Sequence, residues 1–302
     1  KSTQPRNGWY SRRVGEGRSV RVEGGGDCDG RGLTLSANER GTTGGYGGGV
    51  GNQVKTNGAT LNIGNGEKGG IGGTGIKIAH GAQGTIDAAT RFNLDGSSVL
   101  AAEVDGLAYT LQGAAIDFEH GFNTDTHLTN HAEINGSGRF QVGLIASNLA
   151  QLTNTGDITF TGEDSAGIYA QDGAKVTNSG TIRMTLRGHA LYAYGLQRRL
   201  DSAPLTEISN SGTINIYNRD SFELNTTIGL VASNYLARIY QNGTINLYGE
   251  EAMGANAFLG GRITFGPDSR ITFNDPNPTG YRAADEGKQF TSNGHKVAVR
   301  SA

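Results

Sequence analysis

"VTNSGTI", residues 176–182, is too short to fold by itself. Val176 and Ile182 are its only large apolar side chains. Asn178, Ser179 and Gly180 between them are turn formers, because Asn and Gly tolerate backbone conformations that other residues avoid. Two three-residue strands around a corner bury too little surface to be stable alone. The stretch decides the fold because it recurs. Leu128–Ile134, Leu152–Ile158, Ile208–Ile214 and Ile239–Ile245 repeat its outline, and the closing isoleucines lie 24, 24, 32 and 31 residues apart. A Gly-apolar-apolar-Ala stretch precedes three copies, at Gly143–Ala146, Gly167–Ala170 and Gly229–Ala232. Alternating apolar pairs come after them, such as Ile158/Phe160 and Ile214/Ile216.

Each unit offers two or three short strands with period-2 alternation and tight corners between them. No stretch has a helical pattern of useful length. A unit that cannot bury its own apolar face must stack on its neighbours. The expected fold is therefore all-β: a parallel β-helix, or solenoid, with coils of about 24 residues and loop insertions. Stacking puts Leu152, Val176 and Ile208 in one column and the closing isoleucines in another. The third heptad position is Asn130, Asn154, Asn178, Asn210 and then Gln241. Stacked amides bond to the coil above and below, so these residues are expected to form a structural ladder. A row of ligand-binding amides is the alternative. The fifth position holds corner glycines at 156, 180, 212 and 243, with Ala132 the exception.

The expected organisation is one continuous domain in three stretches. Residues 1–75 form irregular glycine-rich coils and loops, 76–275 the β-helix stack, and 276–302 a corner or linker. Fifty of the 302 residues are glycine, more than double the usual share of about 7%. Only five are proline and no triplet repeats, which excludes collagen. The net charge of −2 supplies no field that would favour nucleic acid. Cys28 is the only cysteine, so neither an intrachain disulfide nor a multi-cysteine metal site is expected.

Function is sought where the beat breaks. The longer spacings carry eight and seven extra residues, assigned to Leu196–Ala203 and to a place within Tyr217–Asn225. Insertions in solenoids map to loops on one face, often the binding face. Arg198, Arg199, Asp201, Arg219, Asp220 and Phe222 are the candidate binding residues, since arginine and aromatic side chains dominate interface hot spots. Neutral surface loops are the competing reading, because such insertions cost little.

No catalytic residues, metal or cofactor are expected, and the chain is read as a non-enzyme. Gly70 to Gly75 matches G-x-G-x-x-G, but the next residues, "IKIAHG" (76–81), are strand-like, whereas a dinucleotide site needs a helix there. His127 and His131 are four apart on a strand heptad, where they cannot converge as on a helix. Asp27 and Asp29 supply too few oxygens for calcium. The adjacent pairs Glu163/Asp164 and Glu250/Glu251 would point to opposite faces of a strand.

Glycine-rich irregular coils, units such as "AGIYAQDGAKVTNSGTI" (166–182) and the lack of cysteine pairs resemble the passenger domain of a bacterial type V autotransporter. The resemblance is clearest over residues 120–275. It implies a right-handed parallel β-helix at the outer-membrane surface, or secreted, with the C-terminal β-barrel translocator absent from this chain. It further implies a virulence-associated adhesin or immune-evasion factor whose partner is a host protein or glycan. Self-association in trans is the alternative function, and a glycan-active β-helix enzyme a third.

Overall fold

A computed structural model describes residues 9–14, 17–22, 27–31, 33–37, 42–64, 73–106, 109–112, 115–118, 125–196, 203–218, 226–249, 252–274, 279–283 and 290–292. Among them there is no helix. The chain winds as an all-β parallel solenoid of about 28 residues per turn. A long sheet of eleven strands runs from Trp9–Val14 to Thr279–Ala283, and a second sheet of ten runs from Asp27–Asp29 to Phe290–Ser292. The third side carries six strands from Ile134–Gly136 to Arg270–Phe273, with a separate three-stranded sheet in the earlier coils.

The repeated heptad is one corner of this coil. Lys175–Asn178 lies in the second sheet and Thr181–Thr185 in the third. Leu128, Leu152, Val176, Ile208, Ile239 and Ile263 stand in register on successive coils. Ile134, Ile158, Ile182, Ile214, Ile245 and Ile271 form the second column. All are buried apart from Ile271, which is partly so. At about 25 cal/mol per Å² of apolar area, this continuous aliphatic core is the main favourable term holding the coils together.

The amide ladder forms as expected. Each Asn Nδ2 donates to the side-chain oxygen of the next coil: Asn130 to Asn154 at 2.8 Å, Asn154 to Asn178 at 2.7 Å, Asn178 to Asn210 at 2.7 Å and Asn210 to Gln241 at 2.8 Å. All five side chains are buried. The ladder has apolar ends, with Ile86 in register below Asn130 and Phe265 above Gln241. The last donor, Gln241 Nε2, has no hydrogen-bond partner among the described residues.

The corner glycines are needed for space rather than for dihedral freedom, since none of them has positive φ. A methyl on Gly180 would meet the Gly156 carbonyl oxygen at 2.1 Å, and one on Gly212 would meet that of Gly180 at 2.1 Å. Ala132 is the first residue of this column, and its carbonyl oxygen is what a methyl on Gly156 would meet, at 2.0 Å.

The Gly-apolar-apolar-Ala stretches are the strands of the long sheet, and their glycine and first apolar residue break strict alternation. In Val142–Ser147 the pair Gly143 and Leu144 is buried while Val142 and Ile145 face out. The glycine-dense stretch before residue 75 also joins this sheet. Thr43–Gly48 pairs with Thr74–Ala79, register Gly47 to Ile78. The 24-residue beat holds locally, from Val142 to Ala166, and stretches elsewhere, from His189 to Ile228 for example.

Candidate functional site

The long sheet shows the most distinctive outer face. One outward column reads Lys77, Glu103, Ile145, Tyr169, Tyr192 and Val231 on successive coils. Beside it run Leu100, Val142, Ala166 and His189. Apart from the buried Val231, these apolar and aromatic side chains are half-buried. The Tyr169 and Tyr192 rings stack with centroids 5.1 Å apart and planes 24° from parallel. The His189 ring meets Tyr192 edge-on at 5.5 Å. Burial pushes the Tyr169 hydroxyl well above its ordinary range, so both rings are neutral, with half-dry bodies and polar tips.

A charged cluster lies in the earlier coils of this column, above Tyr46. Lys77 Nζ lies 3.0 Å from Glu103 Oε1 and 3.2 Å from Asp105 Oδ2. Burial works against the lysine charge, but the two carboxylates outweigh it and lift the pKa. Burial likewise pushes Asp105 up, while donors from Asn148, Lys77 and Ser147 more than offset it and leave the carboxyl below its ordinary value. Asp172 is raised by burial and then by the charge of Asp105.

Both borders of this face carry breaks in the coil. On the border where strands leave for the second sheet, residues 106–125 and 197–202 interrupt the winding, after Leu100–Asp105 and after His189–Tyr194. The first interruption holds an antiparallel hairpin, Tyr109–Gln112 with Ala115–Phe118. On the opposite border, residues 219–225 intervene between Thr213–Tyr217 and Ile228–Ser233. Near the first border lies a cavity of about 550 Å³. Asp125 and Pro204 line it, close to where the two interruptions rejoin the coil, together with Leu149, Gln151, Lys175 and Glu207.

Arg198, Arg199, Asp201, Arg219, Asp220 and Phe222 all lie outside the described residues, as do Glu250 and Glu251. The described strands flank both insertions where the spacing put them. The insertion at 106–125 is hidden in the sequence because its coil lacks the aliphatic marker. Gly84 stands in the column of Leu128, where Ile78 and Leu128 fill the space a side chain would take.

Other candidates are occupied. Glu163 and Asp164 pair with Arg187 and Arg139 across neighbouring corners, with Arg139 Nε 2.9 Å from Asp164 Oδ2. His131 Nδ1 lies 2.6 Å from Thr155 Oγ1. Among the described residues no three His, Cys, Asp or Glu side chains converge as metal ligands.

A comparison with protein families matches residues 13–263 to the BigA third pectate lyase-like domain. The chain belongs to this family. The BigA third pectate lyase-like match spans the coils from the first strand pair to the strand Arg262–Phe265, and so includes the long-sheet face and the interruptions at 106–125, 197–202 and 219–225. The description fits the three-sided parallel solenoid and the passenger-like β-helical architecture. Among curated proteins and among solved structures, nothing matches the chain.

Proposed function

We propose that this domain is a passenger segment of a bacterial type V autotransporter, displayed at the outer membrane or secreted, and that it binds a host macromolecule without transforming it. The observation that carries the reading is the placement of the half-exposed Tyr169–Tyr192 stack between two borders interrupted by insertions. Tyrosine offers large contact area at low entropic cost and is favoured at interface hot spots. Loops held by a rigid scaffold are the usual carriers of recognition. The main carboxylates near this face, Glu103, Asp105, Glu163 and Asp164, are held in ion pairs, which suits a binding surface better than a reaction centre. In this reading the partner is a matrix, serum or cell-surface protein or glycan, and the role is adhesion or immune evasion.

The test is binding of the purified chain to panels of serum and matrix proteins and glycans. It uses two variants, Tyr169→Ser/Tyr192→Ser and a deletion of residues 197–202 and 219–225. The reading expects at least about a tenfold weaker interaction for each, equivalent to about 1.4 kcal/mol. Equal binding by both variants, at unchanged far-UV circular dichroism, would sink it.

Self-association in trans is the second reading. It is favoured by outward amides already paired along the axis, Asn246 to Asn215 at 2.9 Å and Asn93 to Asn62 at 2.6 Å. A monomer at high concentration in sedimentation would remove it.

A further inference from the structure

The second sheet presents two outward columns along the solenoid axis. One carries hydroxyls, with Thr129, Thr153, Thr177 and Ser209 in register and then Tyr240 and Thr264. The other carries two like charges in its last described coils, because Arg238 and Arg262 are direct register partners. Coils are about 4.8 Å apart, and like charges facing each other across a strand pair destabilise it. The neighbouring carboxylate, Glu207, stands in register with Arg238 and is also 3.7 Å from Lys175. Arg262 is exposed and has no carboxylate within 4.0 Å among the described residues. The strands Ala237–Gln241 and Arg262–Phe265 contain no acidic residue. Arg238 turns one donor inward to the Ala237 carbonyl at 2.8 Å, and Tyr240 is 42% exposed beside it.

We propose that Arg238, Arg262 and Tyr240 form a binding strip for a sulfated polysaccharide laid along the solenoid axis. An anionic group between the two guanidinium ions removes their repulsion and accepts charge-assisted hydrogen bonds from both. The hydroxyl column beside them matches the polyhydroxyl character of a sugar chain, so the two columns suit the two chemistries of one ligand. Single-stranded nucleic acid fits less well. Tyr240 is the only ring in its column, flanked by Ser209 and Thr264, and gives no run of stacking platforms. A membrane fits less well too, since the strip carries no apolar wedge.

This strip lies on a different sheet from Tyr169 and Tyr192, so it stands or falls independently of the long-sheet reading. The test is retention of the whole chain on immobilised heparin, on chemically desulfated heparin and on single-stranded DNA. The expected result is salt-sensitive retention on heparin, loss of retention on desulfation, and weaker retention on DNA. Arg238→Gln/Arg262→Gln should lower heparin affinity at least about tenfold, while Arg183→Gln on the third sheet leaves it unchanged. A second variant separates recognition from folding. Arg262→Glu should raise the melting temperature, by replacing a like-charged pair with an opposite one, and abolish heparin retention. The proposal is overturned by equal heparin affinity in Arg238→Gln/Arg262→Gln, by retention that ignores sulfation, by DNA binding as tight as heparin binding, or by no retention at all.

Discussion

Asn154 Nδ2 donates to Asn178 Oδ1 at 2.7 Å and to its own corner carbonyl, Gly156 O, at 2.8 Å. Asn178 repeats the arrangement one coil on, to Asn210 at 2.7 Å and to Gly180 O at 3.2 Å. Each amide thus ties a corner to itself and to the next coil, in a buried row where every lost partner leaves a polar group stranded.

Asn178→Ala should therefore cost more than one average hydrogen bond. It removes the acceptor of Asn154 and the donor to Asn210 together, so a loss of about 1–3 kcal/mol is expected. Urea unfolding followed by circular dichroism measures it. A change below about 0.5 kcal/mol, the scale of an ordinary surface substitution, would mean that the ladder is not a structural tie.

The corner column makes an asymmetric prediction. Gly180→Ala drives a methyl into the Gly156 carbonyl and should destabilise by about 1–3 kcal/mol through overpacking. Ala132→Gly, at the foot of the same column, should cost only about 0.5–1 kcal/mol, from backbone entropy. Equal effects in thermal melts would contradict the argument from space.

His189 gives the fold a pH dependence. Burial lowers its pKa, and the charge of Asp164 only partly restores it. A depressed folded value means that the unfolded chain takes up the proton first. The contribution of neutral His189 is complete above the ordinary imidazole value of about 6.5 and is lost as pH falls through the folded value. His189→Gln should flatten the stability profile from pH 7 downward. An unchanged slope in denaturation midpoints across that range would count against it.

The regular corner was legible because its two aliphatic positions, its amide and its glycine each have one job and repeat it. The long sheet was less legible. In Gly143–Ala146 the neighbours Gly143 and Leu144 both face in, which breaks the alternation, so periodicity alone hides that Ile145, Tyr169 and Tyr192 form one outer face. Coils before residue 120 were blurred for a related reason. Gly47 and Gly84 occupy core columns, and the neighbours Ile78, Val54 and Leu128 supply the missing bulk. No local pattern encodes such compensation between coils. The insertion after Asp105 was hidden with them.

The central functional claim is that the outer face of the long sheet is the one that recognises a host partner. It is tested most directly by adhesion of protein-coated beads to host cells stripped enzymatically of sulfated polysaccharide. Matched pairs of substitutions on the three faces are compared: Tyr169→Ser/Tyr192→Ser, Thr153→Ser/Thr177→Ser and Asn215→Ser/Asn246→Ser. The prediction is that the tyrosine pair alone lowers adhesion, by about tenfold or more. Equal adhesion by all three variants, or a loss confined to either of the other two faces, would contradict it.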